Sequence, residues 1–156
     1  MKLVKDYMKT KVRKVRPTYS IFKAAGILSK YHISGAPVVR GEKVVGIITE
    51  SDLIRFMKLD MSKTHAELAS EPHALSVLLL ALIKDHLDVK KHLEELSKIR
   101  VKDFMTKNII SVSPDESIIE AANLLEEHHI DRLPVIDGGK LVGIISRCDL
   151  IKSLVA

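Results

Sequence analysis

Apolar positions along the chain follow two rhythms, and the same succession of rhythms occurs twice. Ile21, Ala24, Ala25 and Leu28 recur at steps of three and four, as do Ile118, Ala121, Ala122 and Leu125. That is the stripe of an amphipathic helix. Each stripe follows a serine suited to an N-cap, Ser20 or Ser117, and predicts a helix of about a dozen residues. Pro37-Val38-Val39 and Pro134-Val135-Ile136 then read as short buried strands. Turns at Arg40-Gly41-Glu42 and Asp137-Gly138-Gly139 send the chain back as Val44–Ile48 and Leu141–Ile145, giving two hairpins. Upstream, Val12–Val15 and Ile109–Val112 are short extended segments leading to Pro17 and Pro114. Closing helices start at Thr49 and Ser146. The unit is β-α-β-β-α, twice.

The two copies align without a gap at a constant offset of 97, residues 4–57 on residues 101–154. VKDYM faces VKDFM, GAPVV faces RLPVI, and KVVGIITESDLI faces KLVGIISRCDLI. About two-fifths of the paired positions are identical, far above chance, so the chain is an internal duplication. One copy is small for a stable core, and its apolar strands need a second layer. The predicted fold is therefore α+β: two repeats (1–57 and 101–156) packed about a pseudo-twofold axis, with a helical insertion (58–100) between them. Any cleft between the repeats then occurs in two similar versions.

The insertion has no counterpart in either copy. Thr64-His65-Ala66-Glu67 has capping-box spacing, and the stretch after Pro72 carries a broad apolar face through Leu75, Leu78, Leu79, Leu82 and Ile83. It reads as a helical hairpin packed on its own repeats or as a dimer or partner surface; a third reading, a membrane-surface helix, fits its neutral charge less well.

Composition narrows the class. The 156 residues are 46% hydrophobic and 29% charged, which excludes a collagenous or wholly disordered chain. One cysteine forms no internal disulfide, which fits a reducing cytoplasm. No apolar run is long enough to span a bilayer, and MKLVKDYMKTKVRKVR contains no hydrophobic signal core. Charge is uneven: residues 1–57 hold 12 Lys and Arg against 4 Asp and Glu, whereas residues 101–156 hold 6 against 9. The basic first copy suits a partner carrying phosphates.

Chemistry concentrates at Gly46-Ile-Ile-Thr49-Glu-Ser-Asp52 and Gly143-Ile-Ile-Ser146-Arg-Cys-Asp149. A buried strand ends in a hydroxyl residue, and an aspartate follows in the first turn of a helix. This spacing has two readings. As a capping box, the hydroxyl and carboxylate satisfy free helix N–H groups. As a ligand site, the helix start and hydroxyl favour an anion, the carboxylate accepts hydrogen bonds from a vicinal diol, and the glycine admits a flat ring or backbone.

The repeated pattern VKDxM, proline, helix, LPVI-D-GG-KLVGIIS and final helix resembles the CBS domain, named after cystathionine β-synthase. A tandem pair of such domains is a Bateman module. The resemblance covers residues 4–57 and 101–154. It implies a regulatory module whose clefts bind AMP, ADP, ATP or S-adenosylmethionine. Thr49, Asp52, Ser146 and Asp149 would contact ribose and phosphate, and Arg132 would contact phosphate. The apolar adenine slot would draw on Val12, Val15, Ile33 and Pro37, with Ile109, Val112, Ile130 and Pro134 in the other copy. Arg13, Lys14, Arg16 and Arg147 are further phosphate candidates. Because Gly35 stands opposite Arg132, the two clefts should differ in phosphate affinity. Bateman modules commonly dimerise, so the resemblance implies a homodimer that regulates a partner protein.

Other polar residues point elsewhere. His128-His129 lacks metal-ligand spacing and, with His32 at the equivalent position of the first copy, reads as a helix end. His86 and His92 read as exposed, and Cys148 as a small buried residue. No nucleophile elbow, P-loop or paired-carboxylate arrangement occurs, and the expectation is a binding protein without catalytic cofactor or metal. Two alternatives compete with the sensor: nucleic-acid binding through the basic first repeat, and a ligand-free adaptor working through residues 58–100.

Overall fold

Ser20 and Ser117 begin their helices as the sequence predicts: each Oγ accepts a hydrogen bond at 3.1 Å, from the Lys23 and Glu120 N–H groups. The helices run Ile21–Lys30 and Ile118–Glu127 in a computed structural model that describes residues 1–58 and 97–155. In chain order the described elements are α1 (Val4–Tyr7), α2 (Ile21–Lys30), β1 (Gly35–Arg40), β2 (Lys43–Thr49) and α3 (50–58). Then come α4 (Val101–Phe104), α5 (Ile118–Glu127), β3 (Arg132–Asp137), β4 (Lys140–Ser146) and α6 (Arg147–Ser153). The sequence readings for the insertion, with His86 and His92, fall outside the described residues but for its two ends. No described helix is long and apolar enough to cross a membrane.

Both long helices end in the same way. His32 and His129 adopt positive φ (50° and 52°) just past the C-caps. The following Ile33 and Ile130 N–H groups bond back to Leu28 and Leu125 carbonyls, and the histidine N–H groups bond to Ser29 and Glu126. This paired pattern is a Schellman motif. The histidines thus occupy helix ends, and the motif directs Ile33 and Ile130 back toward the sheets.

Each hairpin is antiparallel, with a bulge after Val38 in β1–β2 and after Val135 in β3–β4. The predicted upstream strands shrink to single parallel bridges, Val15 to Val38 and Val112 to Val135. The other edge of each hairpin is completed by the opposite repeat. Lys9 pairs with Ile144 of β4, and Thr106 pairs with Ile47 of β2. The VKDxM segments are therefore exchanged. Val4, fully buried, packs with Val112, Leu125 and Leu133 in the core of the second repeat. Val101 packs with Val15, Ile21 and Leu28 in the core of the first. Burying one such valine contributes about 1.5–3 kcal/mol, so each core depends on a residue from the other copy.

The exchange also explains the repeated glycine. A Cβ on Gly143 would lie 2.6 Å from Met8 Sδ and 3.1 Å from the Lys9 carbonyl. On Gly46 it would lie 2.6 Å from Met105 Sδ and 3.0 Å from the Thr106 carbonyl. The sequence reading gave these glycines to an approaching ring or backbone. The approaching group is the backbone and methionine of the exchanged segment.

Candidate ligand cleft between the repeats

The Thr49/Asp52 and Ser146/Asp149 motifs fold alike, with one difference that matters. Asp52 and Asp149 are both 4% exposed. In each, Oδ2 closes a capping box. Asp52 Oδ2 accepts from the Thr49 N–H (2.9 Å) and hydroxyl (3.0 Å), and Asp149 Oδ2 from the Ser146 N–H (3.0 Å) and hydroxyl (2.6 Å). The capping reading of the sequence thus holds, and it consumes one oxygen per carboxylate. The other oxygen differs. Asp52 Oδ1 accepts from Arg55 Nη2 (3.1 Å) and Thr106 Oγ1 (3.3 Å). Asp149 Oδ1 meets only the Lys9 ammonium, at 3.6 Å, among the described residues. Position 9 corresponds to Thr106 under the offset, so the exchanged segment supplies a cation to one cleft and a hydroxyl to the other.

Asp149 and Ser146 open into a cleft of about 90 Å³. Its walls come from both repeats: Val12, Arg13, Ile33 and Gly35 from the first, Arg132 and Ile144 from the second, and Lys9 and Lys11 at the exchanged segment. Arg132 braces it. Its Nη2 donates to Ser34 Oγ at 2.7 Å and its Nη1 to the Gly35 carbonyl at 3.3 Å, while its buried Nε has no partner among the described residues. Burial lowers the guanidinium pKa from its ordinary value, opposed by Asp131 and Asp149. Arg132 thus reaches across to the backbone of its own counterpart in the duplication, Gly35.

The remaining sequence candidates scatter. Val15, Pro37 and Pro134 are fully buried and Val112 nearly so; they pack in the cores, and none of them lines this cleft. Ile109 and Ile130 are partly buried but do not line this cleft. Arg147 turns away: its Nε and Nη2 donate to the Ile130 and Leu125 carbonyls (3.0 and 2.9 Å), and it pairs with Asp131, closing the end of α5. Arg13 lies over the Tyr31 ring at 3.8 Å while lining the cleft. Lys14 and Arg16 face a different groove. Cys148, read as buried, is exposed, because α6 turns Asp149 inward and its neighbour outward. Lys9, Lys11 and Ser34 were missed. Recognition that VKDxM crosses to the other copy would have found Lys9.

Comparison with known proteins matches this architecture. Residues 4–59 and 101–156 each match the CBS domain. The chain belongs to the CBS domain family. It is a tandem CBS pair, a Bateman module. The pair is 36% identical over 158 residues to the uncharacterized protein MJ1426 of Methanocaldococcus jannaschii, across 98% of this chain and 91% of that protein. It superposes at a TM-score of 0.68 and 25% identity on the CBS domain pair of protein MJ0100 in complex with 5′-methylthioadenosine and S-adenosyl-L-methionine. That match covers 99% of this chain and 96% of the other. Protein MJ1225 from Methanocaldococcus jannaschii shares the fold at a TM-score of 0.76 and 21% identity. The CBS pair covers 98% of itself there but 48% of MJ1225.

Proposed function

We propose that the CBS pair is a cytoplasmic sensor that binds an adenosine ligand in the Ser146/Asp149 cleft and regulates a partner protein. The observation that carries this reading is Asp149: a buried carboxylate with one oxygen left toward a cleft walled by both repeats. A ribose diol would donate to that oxygen. Ile33 and Val12 would flank the base, and Lys9, Lys11, Arg13 and Arg132 would surround phosphate or another charged tail. The 5′-methylthioadenosine and S-adenosyl-L-methionine bound by the MJ0100 pair support an adenosine ligand, with AMP, ADP, ATP and S-adenosylmethionine as the candidates. At about 90 Å³ the cleft is well below the roughly 300 Å³ of a small-molecule site, so binding requires the repeats to part. A ligand that prefers the parted arrangement shifts the population toward it, which is how occupancy would reach a partner.

A thermal-shift screen against AMP, ADP, ATP, S-adenosylmethionine and methylthioadenosine tests the proposal. Ligand at 100 times its Kd adds about 2.7 kcal/mol, a rise of roughly 5–10 °C for a chain of this length. No shift with any of them would overturn it.

The same reading includes a homodimer. Phe22, Ile54 and Met57 are about half exposed, and their equivalents Ile119, Ile151 and Leu154 are more so, so both repeats present an apolar helical face. Ile54→Glu combined with Ile151→Glu should convert dimer to monomer in sedimentation velocity. An unchanged sedimentation coefficient would place the dimer contact elsewhere.

A further inference from the structure

The two repeats differ most sharply on a groove outside the cleft. It runs along the linker and hairpin of the first repeat, measures about 610 Å³, and shares no lining residue with the cleft. Lys14, Arg16, Arg40 and Lys102 line it, with no carboxylate among its lining residues. None of these four cations has a carboxylate partner among the described residues. Lys23 adds a fifth positive charge nearby, 3.8 Å over the ring of the groove residue Tyr19.

The duplication supplies an internal control. The second repeat keeps the packing here, with Val112 for Val15, Pro114 for Pro17, Ile136 for Val39 and Gly138 for Gly41. Its charges are reversed. Ser111, Ser113 and Asp137 replace Lys14, Arg16 and Arg40, and Glu116 replaces Tyr19. Lys5 stands for Lys102, but Asp115, which replaces Thr18, binds it at 2.7 Å. The backbone therefore folds without the cations. Four like charges gathered with no carboxylate partner among the described residues repel one another, and an anion relieves that repulsion.

We propose that this groove is a second binding site, for a chain of linked phosphates, either a nucleic-acid strand or a free oligophosphate. The volume lies within the range of small-molecule sites. Cations from three separate segments, linker, hairpin and α4, suit several phosphates in a row better than one. The inference is independent of the adenosine reading.

The test is fluorescence anisotropy with fluorescein-labelled oligo(U) and oligo(dT) of about 15 nucleotides, comparing the native chain with a Lys14→Ser/Arg16→Ser variant. The variant places at both positions the residue that the second repeat already tolerates there. Four phosphate contacts on a single strand give a log–log salt slope of roughly −2.8, and two give roughly −1.4. The variant should halve the slope and bind at least about tenfold more weakly at about 50 mM salt. Its melting temperature and its response to adenosine ligands should stay unchanged. Displacement of the probe by tripolyphosphate would assign the groove to free oligophosphate, and failure to displace it would assign the groove to a strand. A native chain that binds neither probe nor tripolyphosphate overturns the proposal. So does a variant that binds like the native chain, or equal competition by polyglutamate, which would mark a face for acidic proteins.

Discussion

Asp149→Ala is expected to abolish the thermal stabilisation by an adenosine ligand, whereas Asp52→Ala is expected to leave most of it. Both aspartates are buried and both cap a helix, so sequence alone treats them as equals. The difference lies in the second oxygen. Asp52 Oδ1 is already held by Arg55 and Thr106. Among the described residues Asp149 Oδ1 has only Lys9, at 3.6 Å, a partner that a ribose hydroxyl can supplement or displace. Hydrogen bonds to a charged acceptor are worth about 1.5–3 kcal/mol each, so losing both ribose bonds weakens binding by a factor of about 100 or more. Each substitution also removes half of a capping box, at about 0.5–2 kcal/mol. Each variant must therefore be compared with its own ligand-free melting temperature. Loss in Asp52→Ala with retention in Asp149→Ala would move the site to the other cleft. Retention in both would remove the clefts from consideration.

What could be read in the sequence divides along a physical line. Local features were legible: the serine N-caps, the hairpins around Gly41 and Gly138, the helix ends at His32 and His129, and the capping boxes at Thr49 and Ser146. Each rests on groups a few residues apart. The exchange of VKDxM was not legible. A four-residue helix has no resolvable period, and nothing in a one-dimensional pattern says which copy's sheet edge a short strand will join. Missing it left open which group approaches Gly46 and Gly143, and hid Lys9. Cys148 was legible in principle. Asp149 and Ser153, four apart, are both buried, so a residue one step before Asp149 points about 100° away on the helix. The apolar slot was over-read for a different reason. Val15, Pro37 and Pro134 satisfy the family pattern because the core requires them, and pattern cannot separate a residue that packs from one that binds.

Gly143→Val tests the exchange itself, and through it the cleft. A Cβ at this position would overlap Met8 Sδ and press on the Lys9 carbonyl, so the exchanged segment has to retreat from β4. Over-packing of this kind costs about 1–3 kcal/mol, a fall in melting temperature of roughly 2–12 °C. Met8→Ala removes the flexible part of the clash but leaves the backbone contact at 3.1 Å. The double variant should therefore be less destabilised than the sum of the singles by about 1 kcal/mol. Strict additivity would mean that Met8 does not lie over Gly143. The substitution has a second consequence. The Lys9 N–H and carbonyl both bond to Ile144, and its ammonium faces Asp149. Displacing the segment carries that cation out of the cleft, so Gly143→Val should also weaken the adenosine ligand without touching it. Gly46→Val, which displaces Thr106 rather than a cation, should destabilise the chain to a similar degree and spare the affinity. A matched loss of affinity in both would tie ligand binding to general stability and not to Lys9.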